Sequence, residues 1–115
     1  MRALLAYDGS ASAATAAALA GSLAWPTDTT LRVISIVEPA PLLMAAPWLG
    51  GAAAIQPELA APVTEHMEAE VARVVRQLQG PTRFVEGAVL AGRAATVVVD
   101  EARTFEADLV IVGSR

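Results

Sequence analysis

Two short clusters in this chain have residue types suited to chemistry, and each closes an apolar run. The first is Asp8-Gly9-Ser10, after Ala3-Leu4-Leu5-Ala6-Tyr7. The second is Gly113-Ser114-Arg115, after Ala107-Asp108-Leu109-Val110-Ile111-Val112. A β-rich run that ends in Gly-Ser suits a buried parallel strand handing over to a loop whose main-chain N–H groups hold an anion such as phosphate. The same turns also have plainer readings. Asp8 fits a turn residue or a cap for a following helix, and Gly113-Ser114 fits an ordinary strand-ending turn.

Other chemistry is poorly supplied. There is no cysteine, so disulfides, thiolate catalysis and Cys-bound zinc are excluded. His66 is the single histidine and lies between Glu65 and Glu68, which reads as a solvated helix position; no metal site is expected. The acidic pairs Glu68/Glu70 and Asp100/Glu101 read as charged helix faces. No nucleophile–base pair is apparent, and the sequence is not read as an enzyme. A receiver domain would need an acidic cluster at strand ends, a haloacid-type phosphatase an Asp at position 10, and an ATP pyrophosphatase a Ser-Gly-Gly loop after the first strand.

Composition narrows the class. The 115 residues are 55% hydrophobic and 17% charged, which suits one folded domain over 1–115. All eight basic residues are arginine, they are scattered, and the net charge is -4, so a nucleic-acid surface is not expected. The stretch between Glu38 and Glu58 carries no charge, yet Pro39, Pro41, Pro47, Pro57 and Gly50-Gly51 would break a membrane helix. It reads as a long irregular apolar loop over 39–57. With no membrane span and no leader-like start, a cytoplasmic protein is expected.

These turns must be positioned by the elements around them. Residues 2–8 read as a strand and 11–24 as an Ala-rich helix, capped by Ser10 or Ser12 and ended by Trp25-Pro26. The β-branched run 30–37 predicts a second strand. A helix from Pro62 to Gln79 carries Val63, Met67, Val71, Val74, Val75 and Leu78 on one face, and Gly80-Pro81 stops it. Residues 82–89 predict a third strand, with Arg83 and Glu86 marking an edge. Gly92, read first as a glycine the turn requires, opens a helix through Phe105, with Ala94, Val97, Val98, Ala102 and Phe105 inward. Asp108–Val112 predicts a fourth strand, apolar on both faces as in the middle of a parallel sheet.

The alternation implies an α/β fold, a doubly wound parallel sheet with helices on both faces and right-handed crossovers. If the second and third strands wind to one side of the first, the fourth returns on the other, giving the order 3-2-1-4. Ligands bind where the order reverses, outside the carboxyl ends of the strands. Those ends are Asp8-Gly9-Ser10 and Gly113-Ser114.

The ordered set of Leu4–Ser10, Val33–Glu38, Val85-Glu86-Gly87 through Gly92-Arg93-Ala94, and Ala107–Arg115 resembles the universal stress protein family across the whole chain. The resemblance implies a five-stranded sheet, order 3-2-1-4-5, with the fifth strand missing from this chain. It also implies that the chain is C-terminally incomplete, since of the family's G-x2-G-x9-G-[ST] signature only the first glycine, Gly113, falls within the sequence. It implies ATP as the ligand and a homodimer as the assembly. By that resemblance Ala6, Tyr7 and Asp8 lie on the adenosine side, Asp8 accepting from ribose hydroxyls. Ile36 and Val37 offer main-chain groups to the adenine edge, and Gly113, Ser114 and Arg115 face phosphates. The alternative within the family is a non-nucleotide-binding dimerisation or interaction module.

Overall fold

A computed structural model describes residues 1–38, 57–81 and 83–113. In chain order the elements are β1 (Arg2–Ala6), α1 (Ala11–Ser22), β2 (Thr29–Val37), α2 (Pro57–Leu78), β3 (Arg83–Ala91), α3 (Ala94–Phe105) and β4 (Leu109–Val112). The four strands form one parallel sheet in the order β3-β2-β1-β4. This is the expected doubly wound order, with its reversal between β1 and β4.

The pleat sorts the side chains. Ala3, Leu5, Tyr7, Leu31, Val33 and Val85 share one core with Ala13, Ala16, Ala17 and Ala20 of α1 and Val71, Val74 and Leu78 of α2. The alternate residues Leu4 and Ile34, both fully buried, belong to the opposite face, where α3 lies. The alanine face of α1 brings that helix close to the sheet, while Leu19 and Leu23 are exposed. The turn out of α1 is tied back by the Trp25 indole, which donates to the Ala20 carbonyl at 2.8 Å.

Several boundaries differ from the sequence reading. The second helix starts at Pro57, five residues before the expected Pro62. Pro57 takes the first-turn place where a missing N–H costs nothing, and Pro62 forgoes one interior hydrogen bond. Val63, expected inward, is exposed; the core side of α2 begins further along, at Val71. Gly92 does not open the third helix. It sits in the turn at φ 141°, and helix begins at Ala94 with Arg93 at the cap position. That φ is reached at little cost only by glycine. No residue of α3 is fully buried and Ala94 is exposed, so its expected inward face is only half covered. Finally β4, whose apolar character suggested the middle of a sheet, is the outer strand of the four described, and Leu109, Val110 and Val112 are exposed. The expected loop over 39–57 lies outside the described residues apart from Pro57, as does Thr82 of the expected third strand.

Candidate functional site

The position of the crevice is set at the far end of the strands. The Asp108 N–H donates to the Arg2 carbonyl at 2.7 Å, and the Arg2 N–H donates to the Asp108 carboxylate at 2.8 Å. This reciprocal pair fixes the register, so that Ala3 faces Leu109 and Ala6 faces Val112. Following the strands upward, the tips Asp8 and Gly113 must then emerge at one rim.

Between them lies a hollow of about 140 Å³ lined by Ala6, Tyr7, Asp8, Ile34, Ile36, Ala94, Val98, Val112 and Gly113. Small-molecule sites usually measure roughly 300–1,000 Å³, so this one has room for a single ring system rather than a whole nucleotide. A wider groove of about 530 Å³ lies at the opposite end of the strands, among Thr27, Asp28, Thr29, Thr30, Pro81, Arg83 and Phe84. It is open and sits at the amino ends of β2 and β3, away from the reversal of strand order, so the smaller hollow is the stronger candidate.

Each expected site residue has a definite place. Tyr7 contributes its backbone: its N–H donates to the Ile34 carbonyl at 2.8 Å, while its ring is buried on the other face. There the hydroxyl accepts from Arg73 at 2.9 Å and donates to Glu70 at 3.4 Å. Asp8 is exposed at the rim, and one carboxylate oxygen accepts from the Ser10 N–H at 2.9 Å. Ser10 in turn caps α1, its hydroxyl accepting from the Ala13 N–H at 3.1 Å. The turn-shaping reading of Asp8 is therefore realised, alongside its place in the crevice.

Ile36 lines the hollow, but Val37 does not: its carbonyl accepts from the Gly92 N–H at 3.1 Å, on the β3 side. Gly113 packs straight onto the start of α1. A Cβ there would fall 2.6 Å from the Ala13 nitrogen and 2.7 Å from the Ser12 carbonyl carbon. Close packing alone thus requires glycine at this position, whatever it binds. Ser114 and Arg115 lie outside the described residues.

Sequence reasoning missed Glu38. Its carboxylate accepts from the Ala94 N–H at 2.6 Å, spanning 56 positions to cap α3, whose own cap residue, Arg93, makes no side-chain bond. No short-range pattern announces such a pairing. Ala94 and Val98, expected only as inward positions of the helix, form a wall of the hollow. Among the described residues no group of three or more His, Asp or Glu is placed to hold a metal, and no helix is long and apolar enough to cross a membrane.

A doubly wound parallel sheet with a hollow where its strand order reverses defines a class of small α/β domains. Within that class the chain belongs to the universal stress protein family, whose description matches residues 1–115. Solved structures of similar shape include the hypothetical protein MJ0577, at a TM-score of 0.81 and 16% identity, covering 99% of this chain and 74% of that one. Rv1636 from Mycobacterium tuberculosis H37Rv superposes at 0.60 with 22% identity, covering 99% and 71%. The universal stress protein UspA from Lactobacillus plantarum does so at 0.55 with 19% identity, covering 100% and 79%. At such identities the likeness speaks for the fold. No curated protein matches the chain.

Proposed function

We propose that this chain is an adenine-nucleotide-binding stress-response protein that acts by binding rather than by turnover. The observation that carries the reading is the parallel pairing of β1 with β4, which brings the Asp8 and Gly113 tips to one rim over an apolar pocket. The pocket's chemistry fits the base and ribose of ATP. Ile36, Ala94, Val98 and Val112 offer an apolar slot for a ring, and Asp8 offers a carboxylate at its mouth for sugar hydroxyls. Phosphates would extend past Gly113, beyond what a 140 Å³ hollow encloses. ATP supplies no reaction here; its binding would favour one state of the protein over another through differential affinity.

Calorimetric titration with ATP tests the reading, together with the thermal midpoint at millimolar ATP. Heat of binding and a raised midpoint are expected; neither appearing overturns it. Asp8→Asn keeps an acceptor for Ser10 while removing the charge, and should weaken ATP by about tenfold. We read the protein as cytoplasmic and homodimeric. The family to which the chain belongs is the ground for the dimer, and sedimentation velocity measures it.

A further inference from the structure

Glu38 directly follows β2, the strand whose end reaches the crevice, yet its charge is directed at a different element. Its carboxylate lies against the first N–H of α3, a 12-residue helix with no acidic residue in its first turn and no side-chain cap of its own. One residue earlier, the Val37 carbonyl takes the Gly92 N–H. The end of β2 is therefore stapled at two successive residues, Val37 to the turn at Gly92 and Glu38 to the start of α3. The helix start held by this staple presents Ala94, and one turn on Val98, to the hollow.

A helix start would otherwise attract anions, through its unpaired N–H groups and the positive end of its dipole. Here the protein has filled that position with its own anion. We propose that Glu38 is a specificity residue of the crevice. Its carboxylate makes the β2–α3 end repel phosphates, so that a nucleotide enters with its uncharged base at Ala94 and its phosphates directed toward Gly113. This rests on the nucleotide reading for its ligand, but the electrostatic part stands by itself: negative charge at Glu38 opposes any anion near Ala94.

Glu38→Gln separates charge from capping, because the amide oxygen still accepts from the Ala94 N–H. Glu38→Ala removes both. Three probes are titrated calorimetrically into each full chain: adenosine, ATP and inorganic tripolyphosphate. In Glu38→Gln, tripolyphosphate affinity should rise about fivefold over the parent while adenosine changes less than about twofold. Glu38→Ala should show the same gain with a lower thermal midpoint. Tripolyphosphate affinity unchanged in Glu38→Gln overturns the proposal, as does a parallel loss for all three probes, which would mark Glu38 as a helix cap and nothing more. Absence of adenosine and ATP binding to the parent chain defeats the nucleotide reading alone, since the tripolyphosphate comparison still scores Glu38.

Discussion

On the side of the sheet covered by α1 and α2, contact is apolar and close: four alanines of α1 and Val71, Val74 and Leu78 of α2 lie on Leu5, Val33 and Val85. On the side covered by α3, Leu4 and Ile34 are just as deeply buried, but the layer beside them is charged. Arg32 reaches Glu86 of β3 and Glu101 of α3, each at 3.1 Å. The guanidinium groups of Arg2 and Arg32 lie 5.7 and 5.9 Å from the centre of the Phe105 ring. The difference follows from coverage. Among the described residues, two helices enclose the first face, whereas α3 alone lies on the second and leaves Phe84 62% exposed. Side chains that cannot be fully dried are better supplied with charged tips that stay in water and long stems that lie on the apolar surface. The crevice opens on the looser face, where α3 meets the sheet.

If the closed face carries most of the stability, the largest loss should come from hollowing it. Leu78 is 1% exposed. Leu78→Ala should cost about 2–5 kcal/mol, from lost burial plus the cavity left behind, read from urea unfolding. A loss below about 1 kcal/mol would mean that α2 is not a principal support of the sheet.

The second face should respond differently to the same kind of surgery. Arg32→Met strands two neighbouring carboxylates, Glu86 and Glu101, whose side chains are 37% and 21% exposed. Solvent screening reduces the cost to about 1–2 kcal/mol. Replacing Arg32, Glu86 and Glu101 together by Met, Leu and Leu should restore the parent stability to within about 1 kcal/mol, because an ion cluster often does no better than an apolar one of similar size. A triple variant less stable than Arg32→Met would show that the charges hold the α3 face in their own right.

The contrast also explains what the sequence could and could not tell. Leu109–Val112 and Thr30–Val37 announce strands through runs of β-branched residues, and the α/β alternation then leaves few topologies, so the strand order was within reach. The meeting of Asp8 and Gly113 followed from that order. The closed face was legible because Val71, Val74 and Leu78 repeat at helical spacing. The open face was not. Arg32, Glu86 and Glu101 lie on three elements, and periodicity in any one of them says nothing about a charge shared among all three. Glu38 is hidden for the same reason, its partner being 56 residues away. Gly92 was legible as a glycine that a turn requires, and its φ of 141° realises that reading; only the helix start was misplaced, by two residues, at Gly92 instead of Ala94. Gly113 stood out for its phosphate chemistry, while its packing against α1 needed coordinates.

The smallest effect sharpens the comparison, because it tests a polar contact on the apolar face. Tyr7 is buried there, and its hydroxyl meets Arg73 and Glu70 of α2. The hydrogen bond from Arg73, at 2.7 Å, holds the Glu70 carboxyl below the ordinary carboxylate range; the Arg73 charge, nearby His66 and the Tyr7 hydroxyl act the same way, and partial desolvation opposes them. Arg73 is correspondingly pushed up, first by its bond to Glu70. A carboxyl with a depressed folded value stabilises the fold at pH above its unfolded value, about 4.3 for Glu, and loses that contribution as pH falls through the lower folded value. The thermal midpoint of the parent should therefore exceed that of Glu70→Gln at neutral pH by a small margin, and the margin should close as the pH is lowered below about 4. A margin independent of pH would mean that Glu70 acts through its shape or through neutral hydrogen bonding, and that Arg73 holds Tyr7 without its help.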